Sequence, residues 1–129
     1  MATIMIVDDA AFMRAILSHM LRELGHEVVA EASGGEEALQ LYSQKKPDLV
    51  TMDITMPDMD GITAMHKIRL LDPGAKFIVC SAMSHQQVVI DAIAAGAKDF
   101  IAKPLQKERV QSTIQRVLSG VSVKAPKLF

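Results

Sequence analysis

Five short apolar segments alternate along this chain with segments of helical periodicity, and this alternation restricts the possible folds more than any other feature. The apolar segments, which we predict to be strands, are Thr3–Val7, Glu27–Ala32, Leu49–Met52, Phe77–Ser81 and Asp99–Ala102. Continuous apolar strands separated by helices are typical of a parallel sheet covered by helices on both faces. Five such units in 129 residues favour one α/β domain with an open, doubly wound sheet over a closed barrel, which needs eight units.

The helical segments have recognisable apolar stripes and ends. The first predicted helix carries one apolar face at helical spacing and ends before Gly25, since glycine commonly terminates helices. That face is made of Phe12, Ile16, Leu17, Met20, Leu21 and Leu24. Further helices are predicted from about residue 36 to 45, from Gly61 to the turn at 72–74, from about 85 to 95, and around 110–118.

Three acidic residues directly follow two of the predicted strands. Asp8 and Asp9 follow the first strand and Asp53 follows the third, so all three should meet at the carboxyl edge of a parallel sheet. Each like-charge pair about 4 Å apart costs roughly 4 kcal/mol at an effective dielectric near 20. We therefore interpret the cluster as a Mg²⁺ site in which one Asp accepts a phosphoryl group. The simpler alternative is that Asp8 or Asp9 caps the helix that follows.

Two more polar residues end strands at this same edge. Lys103 directly follows the fifth strand, and its ammonium is a compact charge suited to binding a transferred phosphate. Ser81 closes the fourth strand and could donate its hydroxyl to a phosphate oxygen. Phosphoryl transfer requires mainly alignment and charge neutralisation, which a divalent ion and one lysine can supply.

Composition excludes several other classes of protein. The formal net charge is −1 and there is no basic run, which argues against nucleic-acid binding. The apolar runs are too short to span a bilayer and no signal peptide is visible, so we expect no membrane association. The single cysteine, Cys80, lies in an apolar run and is predicted to be buried, which fits a reducing compartment. We predict a cytoplasmic protein.

Taken together, the edge motifs resemble those of receiver domains of two-component response regulators, the CheY-like family. The matching stretches are Val7-Asp8-Asp9, Asp53 with Met56-Pro57-Asp58-Met59-Asp60-Gly61, Ser81-Ala82 and Lys103-Pro104. The resemblance implies a flavodoxin-like (βα)5 fold with strand order 2-1-3-4-5. It also implies a receiver domain at residues 1–119, followed at 120–129 by a tail or the start of a linker. Four stretches are most similar to stand-alone chemotaxis regulators: Val7–Arg14, Thr51–Gly61, Val79–Met83 and Ala95–Pro104.

The resemblance assigns a role to each residue of the charged cluster. Asp53 resembles the phosphoacceptor. Asp9 resembles the direct metal ligand and Asp8 the acid that holds the metal through water, while Thr55 would offer its backbone carbonyl to the same ion. Lys103 resembles the lysine that contacts the phosphoryl group.

Two further residues resemble the parts that report phosphorylation. Ser81 resembles the switch hydroxyl and Phe100 the aromatic switch, which is tyrosine in the best-known chemotaxis members. Phenylalanine lacks the hydroxyl, so here ring burial would have to report the state. The output surface implied by the resemblance comprises the fourth helix, fifth strand and fifth helix.

The implied function is a phosphorylation-activated signalling switch. A sensor histidine kinase would phosphorylate Asp53 in a Mg²⁺-dependent reaction, and the chain would assist its own phosphotransfer and dephosphorylation without being a conventional enzyme. The expected output partner is a flagellar motor switch protein or another output protein, and a phosphatase is a further candidate partner. The alternatives are a phosphorelay receiver or one severed from a DNA-binding or enzymatic output domain.

A haloacid-dehalogenase-type phosphatase is an alternative from a different class, since it also uses an Asp nucleophile and Mg²⁺. Those enzymes carry a second acid two residues after the nucleophile. Here Ala10 stands at that spacing after Asp8, and Thr55 stands there after Asp53. Turnover of a phosphate ester in excess over the protein would favour this alternative.

Overall fold

The five predicted strands form one parallel sheet. In a computed structural model, which describes residues 1–82 and 86–120, the strands are β1 (Thr3–Val7), β2 (Glu27–Ala32), β3 (Leu49–Met52), β4 (Phe77–Ser81) and β5 (Asp99–Ala102). Their order in the sheet is β2-β1-β3-β4-β5, and every neighbouring pair is parallel. The predicted doubly wound, flavodoxin-like fold and its strand order are therefore confirmed.

Each strand is followed by a helix close to the predicted position. The helices are α1 (Ala11–Glu23), α2 (Gly35–Lys45), α3 (Gly61–Leu71), α4 (Gln86–Ala94) and α5 (Lys107–Leu118). Gly25 lies just beyond α1 with a φ of 90°, a conformation that glycine adopts without steric cost. The predicted start of the fourth helix at His85 and the predicted tail from residue 121 lie outside the described residues. Within those residues, no helix combines the length and apolar character needed to cross a membrane.

The hydrophobic core lies in two layers, one on each face of the sheet. Helices α1 and α5 cover one face, where Ile4 and Ile6 of β1 are buried, and α2, α3 and α4 cover the other face, where Met5 and Val7 are buried. Successive side chains of a strand point to opposite faces. Because both faces are covered, both sets of β1 side chains must be apolar, which explains the uninterrupted apolar runs in the sequence.

The predicted apolar face of α1 is only partly buried. Leu17 and Leu21 are 5% and 0% exposed, but Phe12 is 74% exposed and Ile16 is 37% exposed. At 3.6 residues per turn, the Phe12–Ile16 line is rotated by about 100° from the Leu17–Leu21 line. The Leu17–Leu21 line therefore faces the sheet, while Phe12 and Ile16 lie toward solvent.

Candidate functional site

The three acidic residues meet where the strand order of the sheet reverses. Asp8 and Asp9 follow β1, and Asp53 follows the neighbouring strand β3. The backbone N–H of Asp53 donates to the carbonyl of Val7 at 2.9 Å, which fixes the two strand ends side by side. Carboxylate oxygens of all three acids lie within 4.8 Å of one another. The predicted convergence of these residues is therefore present in the fold.

Lys103 approaches this cluster from the end of β5. Its Nζ donates to Oδ2 of Asp8 at 2.7 Å and lies 3.8 Å from Oδ1 of Asp53. Burial alone would lower the pKa of Lys103, but the hydrogen bond from Lys103 to Asp8 and the charges of Asp53 and Asp8 outweigh it, so the pKa is raised. The lysine therefore remains an ammonium.

Asp53 is buried and its charge is only partly compensated. The residue is 7% exposed, and burial is the main reason why its pKa rises from 3.8 to about 6. The positive charge of Lys103 opposes this rise, while the negative charges of Asp8 and Asp9 add to it. One ammonium thus faces three carboxyl groups, and another cation would stabilise all three in their ionised form.

Neither Asp8 nor Asp9 caps α1. The N-cap position is Ala10, and no side chain accepts a capping hydrogen bond there. Instead Oδ1 of Asp8 accepts from the backbone N–H of Ala10 at 2.9 Å, a local turn that holds the carboxylate at the sheet edge. The capping alternative is therefore wrong for this helix.

Arg14 supports the acidic pair and was missed by the sequence reasoning. Its Nη1 donates to the backbone carbonyl of Asp8 at 2.7 Å, and its Nε lies 3.6 Å from a carboxylate oxygen of Glu31 on β2. The available signal was a basic residue about one turn into the helix that follows the acids. Its contact with a carbonyl could not be deduced from residue types alone.

The loop between Asp53 and α3 is closed at its base by Gly61. The N–H of Gly61 donates to the carbonyl of Ile54 at 2.7 Å, and a Cβ at Gly61 would lie 2.1 Å from the carbonyl oxygen of Asp53. Asp60 caps α3 by accepting from the N–H of Thr63 at 2.8 Å. Thr55 lies exposed in this loop, two residues after Asp53.

The other predicted residues flank the charged cluster. Ser81 is 1% exposed, and its carbonyl accepts from the backbone N–H of Lys103 at 2.9 Å, so β4 and β5 end together. Phe100 is 7% exposed and belongs to the core on the α2–α4 face rather than to the charged cluster. The Lys103–Pro104 peptide bond is cis.

The cluster has the donors that a magnesium ion requires. Mg²⁺ prefers hard oxygen ligands in octahedral geometry and usually retains several waters. Asp8, Asp9 and Asp53 offer carboxylate oxygens close enough to share one ion, and Asp9 is exposed to solvent. The residues present therefore fit this metal.

Comparison with known proteins agrees with this geometry. Residues 4–115 match the response regulator receiver domain. The chain is 57% identical to the chemotaxis protein CheY of Bacillus subtilis over 116 residues, covering 90% of this chain and 97% of that one. It is 55% identical to CheY of Thermotoga maritima, covering 88% and 95%. A solved CheX–CheY–BeF3–Mg complex from Borrelia burgdorferi matches with a TM-score of 0.84 at 40% identity, covering 95% of this chain and 90% of that one.

The fold and the acidic site define a signalling domain that accepts a phosphoryl group, not a classical enzyme. The chain belongs to the response regulator receiver domain family. It is closely related to the chemotaxis response regulators, and its function is that of a phosphorylation-dependent signalling switch in chemotaxis. Receiver domains bind Mg²⁺ at an acidic pocket of this kind. The family match decides against the haloacid-dehalogenase alternative.

Proposed function

We propose that Asp53 is the phosphoacceptor of this receiver and that a sensor histidine kinase is the donor. The observation that carries this assignment is the buried Asp53 carboxylate, with Lys103 Nζ at 3.8 Å and carboxylate oxygens of Asp8 and Asp9 within 4.8 Å. A nucleophilic carboxylate next to a cation, at the open edge of the sheet, is suited to attack a phosphoryl group.

The proposed reaction is a phosphoryl transfer from a phosphohistidine to Asp53. An oxygen of Asp53 attacks the phosphorus of a phosphohistidine, an O–P bond forms, and the N–P bond breaks with its electron pair left on the imidazole nitrogen. Lys103 binds the phosphoryl oxygens as they move toward Asp53. A water molecule later attacks the same phosphorus, the bond from phosphorus to the Asp53 oxygen breaks, and inorganic phosphate leaves with the carboxylate restored. The chain thus assists both its own phosphorylation and its dephosphorylation.

Asp9 is proposed as the direct metal ligand, with Asp8 acting through water and Asp53 and the backbone carbonyl of Thr55 completing the set. When bound, magnesium neutralises the charge that collects between the carboxylates and the phosphoryl oxygens. The metal-free contact between Lys103 and Asp8, at 2.7 Å, keeps the lysine at the site before phosphorylation.

The readout is proposed to run from Ser81 and Phe100 to the surface made of α4, β5 and α5. The hydroxyl of Ser81 would bind the new phosphoryl group, and the position of the Phe100 ring would report the change. This surface would then bind an output protein such as a flagellar motor switch protein, and a phosphatase could use the same site. We propose a receiver at residues 1–119, acting in the cytoplasm.

Intact mass spectrometry tests the phosphoacceptor. Incubation with Mg²⁺ and a small phosphodonor should add one phosphate, which hydroxylamine removes because an acyl phosphate is labile to it. Asp53→Asn should abolish the addition. Asp48→Asn is the matched control. Asp48 directly precedes β3, whereas Asp53 directly follows it, so this change should leave phosphorylation unchanged.

A phosphate that persists on Asp53→Asn, or that resists hydroxylamine, would contradict the assignment of Asp53. The output partner is tested separately by a pull-down of flagellar motor switch proteins with and without beryllofluoride. Retention that depends on beryllofluoride supports the proposed surface, and equal retention in both states counts against it.

A further inference from the structure

We infer that Asp58 is a positioning residue for the metal site, because it ties the loop that carries Thr55 to the start of α2. This inference rests on the proposed function, since it concerns the Mg²⁺ ion assigned there. Asp58 itself touches neither the acidic cluster nor Lys103 in any contact given by the structure. It acts through the loop, so its effect is on the placement of the Thr55 carbonyl.

The link is a pair of hydrogen bonds between distant parts of the chain. Oδ1 of Asp58 accepts from the N–H of Gly35 at 3.1 Å, and Oδ2 accepts from the N–H of Glu36 at 3.0 Å. The first backbone N–H groups of a helix have no partner within the helix. The carboxylate of Asp58 therefore caps α2 from a loop more than twenty residues away.

Steric contacts at Gly34 and Gly35 show how closely the loop approaches α2. A Cβ at Gly34 would lie 2.8 Å from Oδ1 of Asp58, and a Cβ at Gly35 would lie 2.2 Å from Cγ of Met59. A side chain at Gly34 would displace the Asp58 carboxylate, and a side chain at Gly35 would displace that of Met59. Gly34, which precedes α2, and Gly35, its first residue, belong to no phosphate-binding motif and thus make room for this contact.

The rest of the loop is anchored on both sides of Thr55. Ile54 accepts from Gly61 at the base, and the Met56 side chain is 8% exposed in the core. Asp58, which follows exposed Pro57, attaches the outer part of the loop to the start of α2. Without the hydrogen bonds of Asp58, the segment after Met56 is no longer attached to α2, and the Thr55 carbonyl is held less firmly in its orientation. Groups that orient metal ligands typically change metal affinity by about tenfold or more when removed.

Isothermal titration calorimetry with MgCl₂ on the full chain tests this inference. Asp58→Ala should raise the Mg²⁺ dissociation constant by about tenfold. Asp58→Asn removes the same charge but keeps one acceptor oxygen, which can serve only one of the two N–H groups, so it should recover part of the affinity. Gly34→Ala should weaken binding as Asp58→Ala does, and the two changes together should cost less than the sum because they break one contact.

Glu37→Ala is the matched control. Glu37 also lies in the first turn of α2 and accepts a hydrogen bond from the N–H of Ser33 at 2.7 Å. The hydroxyl of Ser33 donates to the same oxygen, so these bonds lie within the β2–α2 turn. Glu37→Ala removes one negative charge and one local cap without touching the loop. Its Mg²⁺ dissociation constant should remain within about twofold of wild type, and thermal melts in chelator should show similar losses for Glu37→Ala and Asp58→Ala.

The outcomes separate the inference from the proposed function. Wild-type affinity in folded Asp58→Ala, or an equal loss in Glu37→Ala, overturns the positioning role while the metal site stands. Absence of Mg²⁺ uptake by the wild-type chain would remove the proposed metal site itself, and the inference with it.

Discussion

Burial of Asp53 disfavours the ionised form of its carboxyl group, which the proposed phosphoacceptor chemistry needs. Lys103 compensates part of that cost, but its Nζ donates its hydrogen bond to Asp8, at 2.7 Å, and lies 3.8 Å from Asp53 as an ion pair. The Asp53 carboxyl is therefore easily protonated when no other cation is bound. The proposed Mg²⁺ ion and phosphoryl group would each change this balance.

In chelator, the contribution of Asp53 to the stability of the protein should be lost as the pH rises from about 4 to 6. The native pKa of Asp53 is about 6, above its ordinary value of 3.8, so the native state holds a proton in this range that the unfolded chain has released. The part of the free energy of unfolding due to Asp53 should fall by roughly 3 kcal/mol across this window. Urea denaturation in chelator at a series of pH values measures this, and Asp53→Asn should remove that part of the slope. Parallel slopes in both proteins would refute the assignment.

Two buried hydroxyls of the described residues have no hydrogen-bond partner, those of Thr51 and Thr113. Each residue is at most 3% exposed. A buried polar group without a partner costs about 1–3 kcal/mol, so Thr51→Val and Thr113→Val should each raise the free energy of unfolding by about 1 kcal/mol. Chemical denaturation measures the change. Thr63→Val is the control, since the Thr63 hydroxyl donates to Asp60 at 3.1 Å and its loss should not stabilise the fold. Destabilisation by both core changes would refute the prediction.

At the scale of secondary-structure elements, the residues of the site lie at the carboxyl ends of strands. Asp8 and Asp9 follow β1, Asp53 follows β3, and Lys103 follows β5, so each reaches the site through the register of a buried strand. The largely apolar runs predicted those strands, because strands covered on both faces, such as β1, are mostly apolar. Parallel pairing then predicts that the acids meet at one edge of the sheet.

Contacts between distant loops could not be predicted in this way. Asp58 was part of a recognised motif, but its bonds to Gly35 and Glu36 depend on where α2 starts relative to the loop. The exposure of Phe12 depends in the same way on the rotation of α1 about its axis, and an apolar stripe alone does not fix that rotation. Sequence patterns define elements and their order, whereas tertiary packing decides these contacts.

Gly61→Ala should disturb the site through the backbone. Its Cβ would lie 2.1 Å from the carbonyl oxygen of Asp53, so the loop or the end of β3 must move. We expect a loss of about 2–3 kcal/mol in the free energy of unfolding, together with weaker Mg²⁺ binding. Gly74→Ala is the control, because there the nearest atom is 3.4 Å away, an ordinary contact. Urea denaturation and calorimetry test both, and equal behaviour of the two variants would argue against the steric explanation.

At the scale of the whole molecule, the site and the proposed output surface share β5. Lys103 follows this strand, Phe100 lies within it, and Asp99 at its start forms an ion pair with Arg116 of α5. A change at the proposed phosphorylation site would therefore be linked to α5 through β5 and the Asp99–Arg116 ion pair. The same arrangement couples ligand binding to global stability, since a ligand that binds only the native state stabilises the fold as a whole.

Asp9→Ala should be at least as stable as wild type without Mg²⁺ and less stable than wild type when Mg²⁺ is added. In chelator the variant lacks one of three mutually repelling charges, so its melting temperature should equal or exceed that of wild type. At about 100 times the dissociation constant, Mg²⁺ should stabilise the wild type by about 2.7 kcal/mol, or roughly 8 °C, and leave the variant unchanged. Glu27→Ala, which removes an exposed acid at the opposite edge of the sheet, should keep the full shift. A variant that melts lower in chelator and still gains the full shift in Mg²⁺ would mean that the three acids neither repel one another nor share the ion.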